Sequence, residues 1–242
     1  MAGGTANALL VIADIGGYTR FMSLHRTSLA HAQENTSRLL EAIIDAAPAL
    51  ELAELEGDAA FLYVTDPTAA DITRSLAGLA SAVHRAFHEE QAYIASRNAC
   101  PCDGCRQTGT LTVKVVAHHG EVVLSTTRGR STLAGVDVIL VHRMLKNSVP
   151  IGEYVLMTGA VLDRAEPRLR ELATPIEEQL EGLGTQQLHY VDMAVLAESA
   201  GAAAREPEPA TLLQRAAFTA GLTARGLPYL VGLRRARVEV EG

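Results

Sequence analysis

Two aspartates and three cysteines carry the chemistry that this sequence offers. Asp14 closes the apolar run ALLVIA that starts at Ala8, and Asp58 sits in a Gly57-Asp58 turn between two strand-like runs. Two carboxylates and a backbone carbonyl gathered in one place make a hard oxygen site, suited to Mg2+ or Mn2+ bridging phosphates. The turn Gly16-Gly17-Tyr18-Thr19 follows Asp14 at once and leads into a helix, so its N–H groups can meet a polyphosphate. Taken singly, the same residues also fit ordinary roles, Asp14 as a helix cap and Asp58 as a turn residue.

The cysteines are Cys100, Cys102 and Cys105, in the loop CPCDGC. This C-x-C-x2-C spacing lets three thiolates converge, and tetrahedral Zn2+ needs one ligand more. His84 and His88 lie one turn apart on the preceding helix, and His118 and His119 follow on the next strand. Any of them can supply the fourth ligand, and His88 is the expected one. Reduced free thiols or a redox-sensing pair are the other readings. A zinc ion with a closed ligand set would pin the loop rather than do chemistry.

The elements that must position these groups follow from periodicity. Residues 8–13 read as a buried strand closed by the Gly pair. Residues 28–47 show helical spacing at Leu29, Ala32, Thr36, Leu39, Leu40, Ile43, Ile44 and Ala47, and Pro48 stops the helix. LELAELEGDAAFLYV reads as a hairpin around Gly57-Asp58. A second helix places Ile72, Leu76, Leu79, Val83 and Phe87 on one face. LTVKVVAHHGEVVLS reads as strand–Gly–strand, GVDVILVHRMLKN as a helix, and EYVLMT and QQLHYVDM as late strands. This order predicts an α+β fold with a ferredoxin-like βαββαβ core, an antiparallel sheet with helices packed on it. The predicted division is a domain over 1–196, an Ala/Glu/Pro-rich linker over 197–210 and a helical extension over 211–242. That extension has Leu212, Leu213, Ala216 and Leu222 as its apolar positions and ends in the basic stretch GLRRARVEV.

Composition narrows the class further. The chain has 242 residues, 48% of them hydrophobic, enough for one sizeable core plus an appendage. A net charge of −7 without a basic cluster argues against nucleic acid as a partner. No apolar run is long enough to span a bilayer and no secretion signal opens the chain, so the expectation is a cytoplasmic protein away from membranes. Three clustered cysteines argue against a disulfide framework.

The segments ADIGGYTRF, ELEGDAAFLY, VKVVAHHGEVV and LAGVDVILVHRML, in this order over roughly residues 8–193, resemble the class III nucleotidyl cyclase homology domain. The likeness is to a divergent bacterial branch, with the cysteine cluster inserted before the third segment. The resemblance implies conversion of a nucleoside triphosphate to a 3′,5′-cyclic monophosphate and pyrophosphate by two divalent ions in a head-to-tail homodimer. It implies Asp14, the Ile15 carbonyl and Asp58 as metal ligands, with Gly17, Tyr18 and Thr19 beside the nucleotide. Glu54 and Thr132 fall on the purine-reading positions; a carboxylate at 54 can accept from guanine N1–H and the 2-amino group, which favours GTP slightly over ATP. Arg143 falls on the transition-state arginine.

Three positions depart from that pattern. Ile139 stands where the family has an asparagine. The turn LEGLGTQQLHY carries Glu181 and Leu183 where the family has phosphate-binding lysines. The alternative implied is a weak or inactive homologue that binds nucleotide and metal as a sensor or signalling module.

Overall fold

The computed structural model describes residues 4–22, 26–65, 71, 73, 75–127, 130–201 and 204–230. Strand β1 spans Gly4–Gly16, longer than the predicted 8–13 because it pairs on both sides, with β3 (Ala59–Thr65) and with β4 (Thr112–Thr127), both antiparallel. β2 (Glu51–Glu56) completes the first hairpin with β3, turning at Gly57-Asp58 as the sequence predicts. Helices α1 (Tyr18–Met22) and α2 (Arg26–Asp45) lie between β1 and β2, and α3 (Leu76–Arg97) lies between β3 and β4. The resulting order β2-β3-β1-β4 is the ferredoxin-like core. β6 (Tyr154–Thr158) extends it parallel to β4, followed by β8 (Gly184–Asp192) and β7 (Thr174–Leu180).

Alternation along β1 feeds two apolar layers. Leu9, Val11, Ala13 and Ile15 pack with Leu39 and Ile43 of α2 and Val83, Phe87 and Ile94 of α3. Ala8, Leu10 and Ile12 face the other way, onto Phe61, Leu156, Leu188 and Val141 of α5 (Val136–Arg143). Each large side chain so buried contributes about 1.5–3 kcal/mol. Because both faces are covered from Ala8 to Ala13, that stretch of β1 reads as a continuous apolar run, and Asp14 is where the second face opens again after it.

One predicted hairpin is absent. LTVKVVAHHGEVVLS forms a single strand, β4, that passes through Gly120, and the reversal comes later, before β5 (Arg130–Ala134). Gly120 is required by crowding rather than by a turn. A Cβ there would lie 2.3 Å from Asp137 Oδ2 and 2.7 Å from His118 Nε2.

Short elements also escaped the sequence reading: β7, α4 (Asp103–Gln107), α6 (Gly159–Leu162) and α7 (Pro167–Leu172). Helix α8 (Met193–Ser199), capped by Asp192 through Ala194 N at 2.8 Å, runs into the segment read as linker. The C-terminal helix α9 (Leu212–Leu230) forms, but Leu212 and Leu213 are exposed. Of the expected positions Leu222 is the buried one, and Phe218 packs beside it against the core. Ile72 and the basic stretch GLRRARVEV lie outside the described residues. Among the described residues no helix is long and apolar enough to cross a membrane.

Candidate functional site

Asp14 and Asp58 meet at one edge of the sheet. The pairing of β1 sets Asp14 opposite Ala59 on one side and Lys114 on the other. The Ile15 amide donates to the Asp58 carbonyl at 3.1 Å, which ties the β2–β3 turn to the end of β1. Burial pushes the Asp58 carboxyl up to about 6, and the charge of Asp14 adds to this, against the opposing pull of a backbone hydrogen bond and of Lys114. Gly17 takes φ +85°, a left-handed conformation that lets the chain leave β1 and start α1 immediately. The phenol of Tyr18 is raised by burial and then by the Asp58 charge, so this side chain lies in the field of the site. Thr19 is exposed beside it.

Lys114, not anticipated from sequence, is part of this constellation. Its Nζ lies 3.0 Å from Asp14 Oδ2 and donates to the Leu145 carbonyl at 3.2 Å. Strand register was the signal: a lysine two residues into a buried strand must use its ammonium at the strand end. Two carboxylates and one ammonium leave a formal charge of −1. Two partly buried carboxylates, with Asp58 raised by burial and by the charge of Asp14, suit a divalent cation, so the residues fit the ion that the resemblance implies. The fixed ammonium makes a second ion at the same carboxylates weaker.

The raised Asp58 carboxyl gives a pH signature. An acid whose folded value lies above its unfolded one costs stability once ionised. The cost is full above about pH 6 and is relieved as pH falls toward about pH 4. Protons and a divalent ion compete for the same oxygens. The rise in melting temperature produced by Mn2+ is therefore expected to shrink from about pH 7 to about pH 5, and Asp58→Asn should abolish that pH dependence.

The remaining expected residues lie on three elements. Glu54 is exposed on β2, and Thr132 is exposed on β5 with its hydroxyl 2.8 Å from Ser125 Oγ. Arg143, at the end of α5, donates from Nη1 to Glu181 Oε2 at 2.7 Å across the surface. The residue at the position of an expected phosphate-binding lysine thus holds the candidate arginine. Ile139 is 52% exposed on the same helix. His118 is structural: it is buried, with Nδ1 2.9 Å from Thr158 Oγ1 and Nε2 3.1 Å from Asp137 Oδ1. His142 bonds Val138 O and Glu56 Oε1.

The cysteine cluster needs one correction. Its fourth member is His31, on α2, and not His88. His31 Nδ1 lies 3.5 Å from Cys100 Sγ, 3.5 Å from Cys102 Sγ and 3.6 Å from Cys105 Sγ. His88 is occupied by Glu153 and Gln91 instead. The sequence could not show this, since α2 packs over the loop only through the tertiary fold, about seventy residues away along the chain. One imidazole nitrogen accepts one hydrogen bond, yet three sulfurs crowd it equally. A tetrahedral ion with ordinary Zn–S and Zn–N lengths sets these atoms about 3.6 Å apart. Burial raises the Cys100 and Cys105 thiols, a penalty that a bound cation reverses. The other ring nitrogen, Nε2, sits 3.4 Å from Thr223 Oγ1 of α9, the kind of outer contact that orients a ligating histidine. The four residues can hold a metal ion.

Comparison with known proteins gives two kinds of match. The sequence model of the family described as "Protein of unknown function (DUF2652)" matches residues 36–154. The uncharacterized protein Rv2561/Rv2562 of Mycobacterium tuberculosis (strain ATCC 25618 / H37Rv) is 40% identical over 158 residues, 65% of this chain and 73% of that protein. Among solved structures, the guanylyl cyclase Cya2 superposes with a TM-score of 0.60 at 17% identity, covering 88% of this chain and 100% of that one. The adenylyl cyclase CyaB from P. aeruginosa gives 0.53 at 15% identity, covering 79% and 97%. The guanylate cyclase domain of RhGC from Catenaria anguillulae, in complex with GTP, gives 0.53 at 16%, covering 78% and 97%.

Proposed function

We propose that this chain, which belongs to the family of the Mycobacterium tuberculosis protein Rv2561/Rv2562 and has the fold of class III cyclase domains, is a metal-dependent purine nucleotidyl cyclase. The proposed reaction makes a 3′,5′-cyclic monophosphate and pyrophosphate, with GTP slightly favoured over ATP. The observation that carries the reading is the meeting of Asp14 and Asp58 at one sheet edge, close enough for the charge of one to raise the other.

Bound there, Mg2+ or Mn2+ would activate the ribose 3′-hydroxyl and neutralise the triphosphate. In this reading Asp14, Asp58 and the carbonyl of Ile15 are its ligands, and Lys114 fixes the Asp14 rotamer. The turn at Gly17, Tyr18 and Thr19 offers backbone N–H groups to the phosphates at the start of α1. Glu54 and Thr132 read the purine edge, and Arg143 meets charge on the α-phosphate. Exposed Leu52 and Leu55 on β2 and Val136 and Ile139 on α5 support a second copy as the cover of this surface, in a head-to-tail homodimer. Zinc is the proposed occupant of the Cys100, Cys102, Cys105 and His31 cluster. The chain is read as two units, 1–196 catalytic and 211–242 a helical extension, working in the cytoplasm.

A second reading rests on the Arg143–Glu181 pair, which sets a carboxylate where the family has a phosphate-binding cation. In that reading the domain binds nucleotide and metal but turns it over slowly or not at all. A Mn2+ assay with ATP, GTP, CTP and UTP, beside Asp14→Ala, separates the two. The cyclase reading expects a cyclic purine product, lost by at least about a hundredfold in the variant. Tight, Asp14-dependent nucleotide binding without product would favour the sensor.

A further inference from the structure

On the sheet face opposite Asp14, a second set of ligand atoms converges. Helix α3 presents His84 and His88 one turn apart, and Glu153, just before β6, reaches both. His84 Nε2 lies 3.1 Å from Glu153 Oε2; His88 Nε2 lies 2.9 Å from Oε1 and 3.1 Å from Oε2. The Val113 amide donates to Glu153 Oε1 at 3.1 Å, which fixes the carboxylate against β4.

The hydrogen-bond chemistry of Gln91 decides what this arrangement requires. Gln91 Nε2 donates both of its hydrogens, to Thr108 O at 2.8 Å and Leu111 O at 2.9 Å. Its Oε1 is therefore the acceptor that faces His88 Nδ1 at 3.1 Å, and Nδ1 must carry the proton. A neutral His88 then points the lone pair of Nε2 at both carboxylate oxygens. That contact is repulsive unless a cation lies between them. A proton on His88 together with the Nε2–H tautomer of His84 would satisfy these contacts one by one, and a metal ion shared by the three side chains would satisfy both imidazoles and the carboxylate at a single point. Donors about 2.1 Å from one ion and at right angles around it stand about 3 Å apart, which matches the observed spacings.

We propose that His84, His88 and Glu153 form a binding site for a divalent transition-metal ion, separate from the cysteine cluster and from Asp14 and Asp58. Two imidazoles and one carboxylate select Zn2+, Ni2+ or Co2+ over Mg2+. The orienting shell is present, with Gln91 setting the His88 tautomer and Val113 N holding Glu153. The side chains are 13%, 27% and 20% exposed, so water can fill the remaining positions and the ion can exchange. The ion would clamp α3 to β4 and β6. Val113 precedes Lys114 and Glu153 precedes Tyr154, so the clamp lies directly behind the edge that carries Asp14.

Two measurements on the full chain test this. In wild-type protein whose cysteine cluster is already filled with Zn2+, substoichiometric Ni2+ should broaden the ring resonances of His84 and His88. In Asp14→Asn protein whose cysteine cluster is already filled with Zn2+, Co2+ should bind at one further equivalent, with a visible spectrum that lacks thiolate charge transfer. His84→Gln or His88→Gln should weaken that equivalent at least tenfold, and Cys102→Ser should leave it unchanged. Sharp His84 and His88 resonances in the presence of Ni2+, or unaltered Co2+ binding in both glutamine variants, would overturn the site. Either result would mean that a proton alone holds His88 against Glu153.

Discussion

His31→Ala is expected to empty the cysteine cluster and loosen the C-terminal helix, although His31 is far from the cysteines in sequence. His31 supplies the one nitrogen among four converging donors, and its second nitrogen meets Thr223 of α9. The same helix contacts the loop elsewhere. Thr219 Oγ1 accepts from Ala99 N at 3.0 Å, and Arg215 donates to Asn98 O at 3.4 Å. Phe218 lies 6.0 Å from the Tyr93 ring and under the Arg38 guanidinium, so the cysteine cluster, the loop and the helix end form one cooperative unit. Metal binding to structural zinc sites is worth about 10 kcal/mol or more in small peptides that cannot fold without it. Here the sheet keeps its own core, so only a few kcal/mol should appear in global stability, lowering the melting temperature by about 10 °C. The checks are zinc content, calorimetry and amide exchange across 212–224. The informative control is His88→Ala, which should keep the thiolate-bound ion, read through cobalt–sulfur charge transfer. If His31→Ala retains that signal and its melting temperature, the four-ligand reading is wrong.

Why the sequence yields Asp14 and Asp58 but not His31 or Lys114 is a matter of range. Asp14 and Asp58 are announced locally, by an apolar run that stops and by a Gly-Asp turn, and neighbouring strands in a ferredoxin-like sheet then bring them together. His31 meets the cysteines only because α2 packs over their loop, and Glu153 meets His84 and His88 only because α3 packs beside the start of β6; no local pattern records either. His88 illustrates the error: one turn from His84 and near the cysteines in sequence, it points toward β6 and not toward the loop. Gly120 shows the converse failure. A glycine between two apolar runs reads as a turn, yet here it is demanded by His118 of the same strand and by Asp137, whose approach depends on α5. The exposed apolar positions on β2 and α5 were equally unreadable, since alternation places a residue on a face but not what covers that face.

Reversing the charge at position 181 is expected to raise nucleotide turnover. The Arg143–Glu181 pair is exposed, with side chains 39% and 80% accessible, so it adds little to stability. Its consequence is electrostatic. A carboxylate 2.7 Å from the guanidinium satisfies donors that would otherwise meet an α-phosphate oxygen, and it repels the incoming triphosphate. Glu181→Lys changes the local charge by two units, releases Arg143 and adds a second cation where the family places one. Each charge-assisted hydrogen bond recovered is worth about 1.5–3 kcal/mol, so turnover with Mn2+ and GTP should rise at least tenfold, at an almost unchanged melting temperature. Glu181→Gln, which frees Arg143 without adding charge, should lie between the two. That graded order distinguishes removal of a competing carboxylate from a mere change in surface charge, because Glu177→Lys on β7 alters net charge equally and should leave turnover as it was. Higher affinity for GTP without product in Glu181→Lys would instead mean that Arg143 reaches the phosphates while Ile139 leaves the ribose unheld, and the sensor reading would then stand.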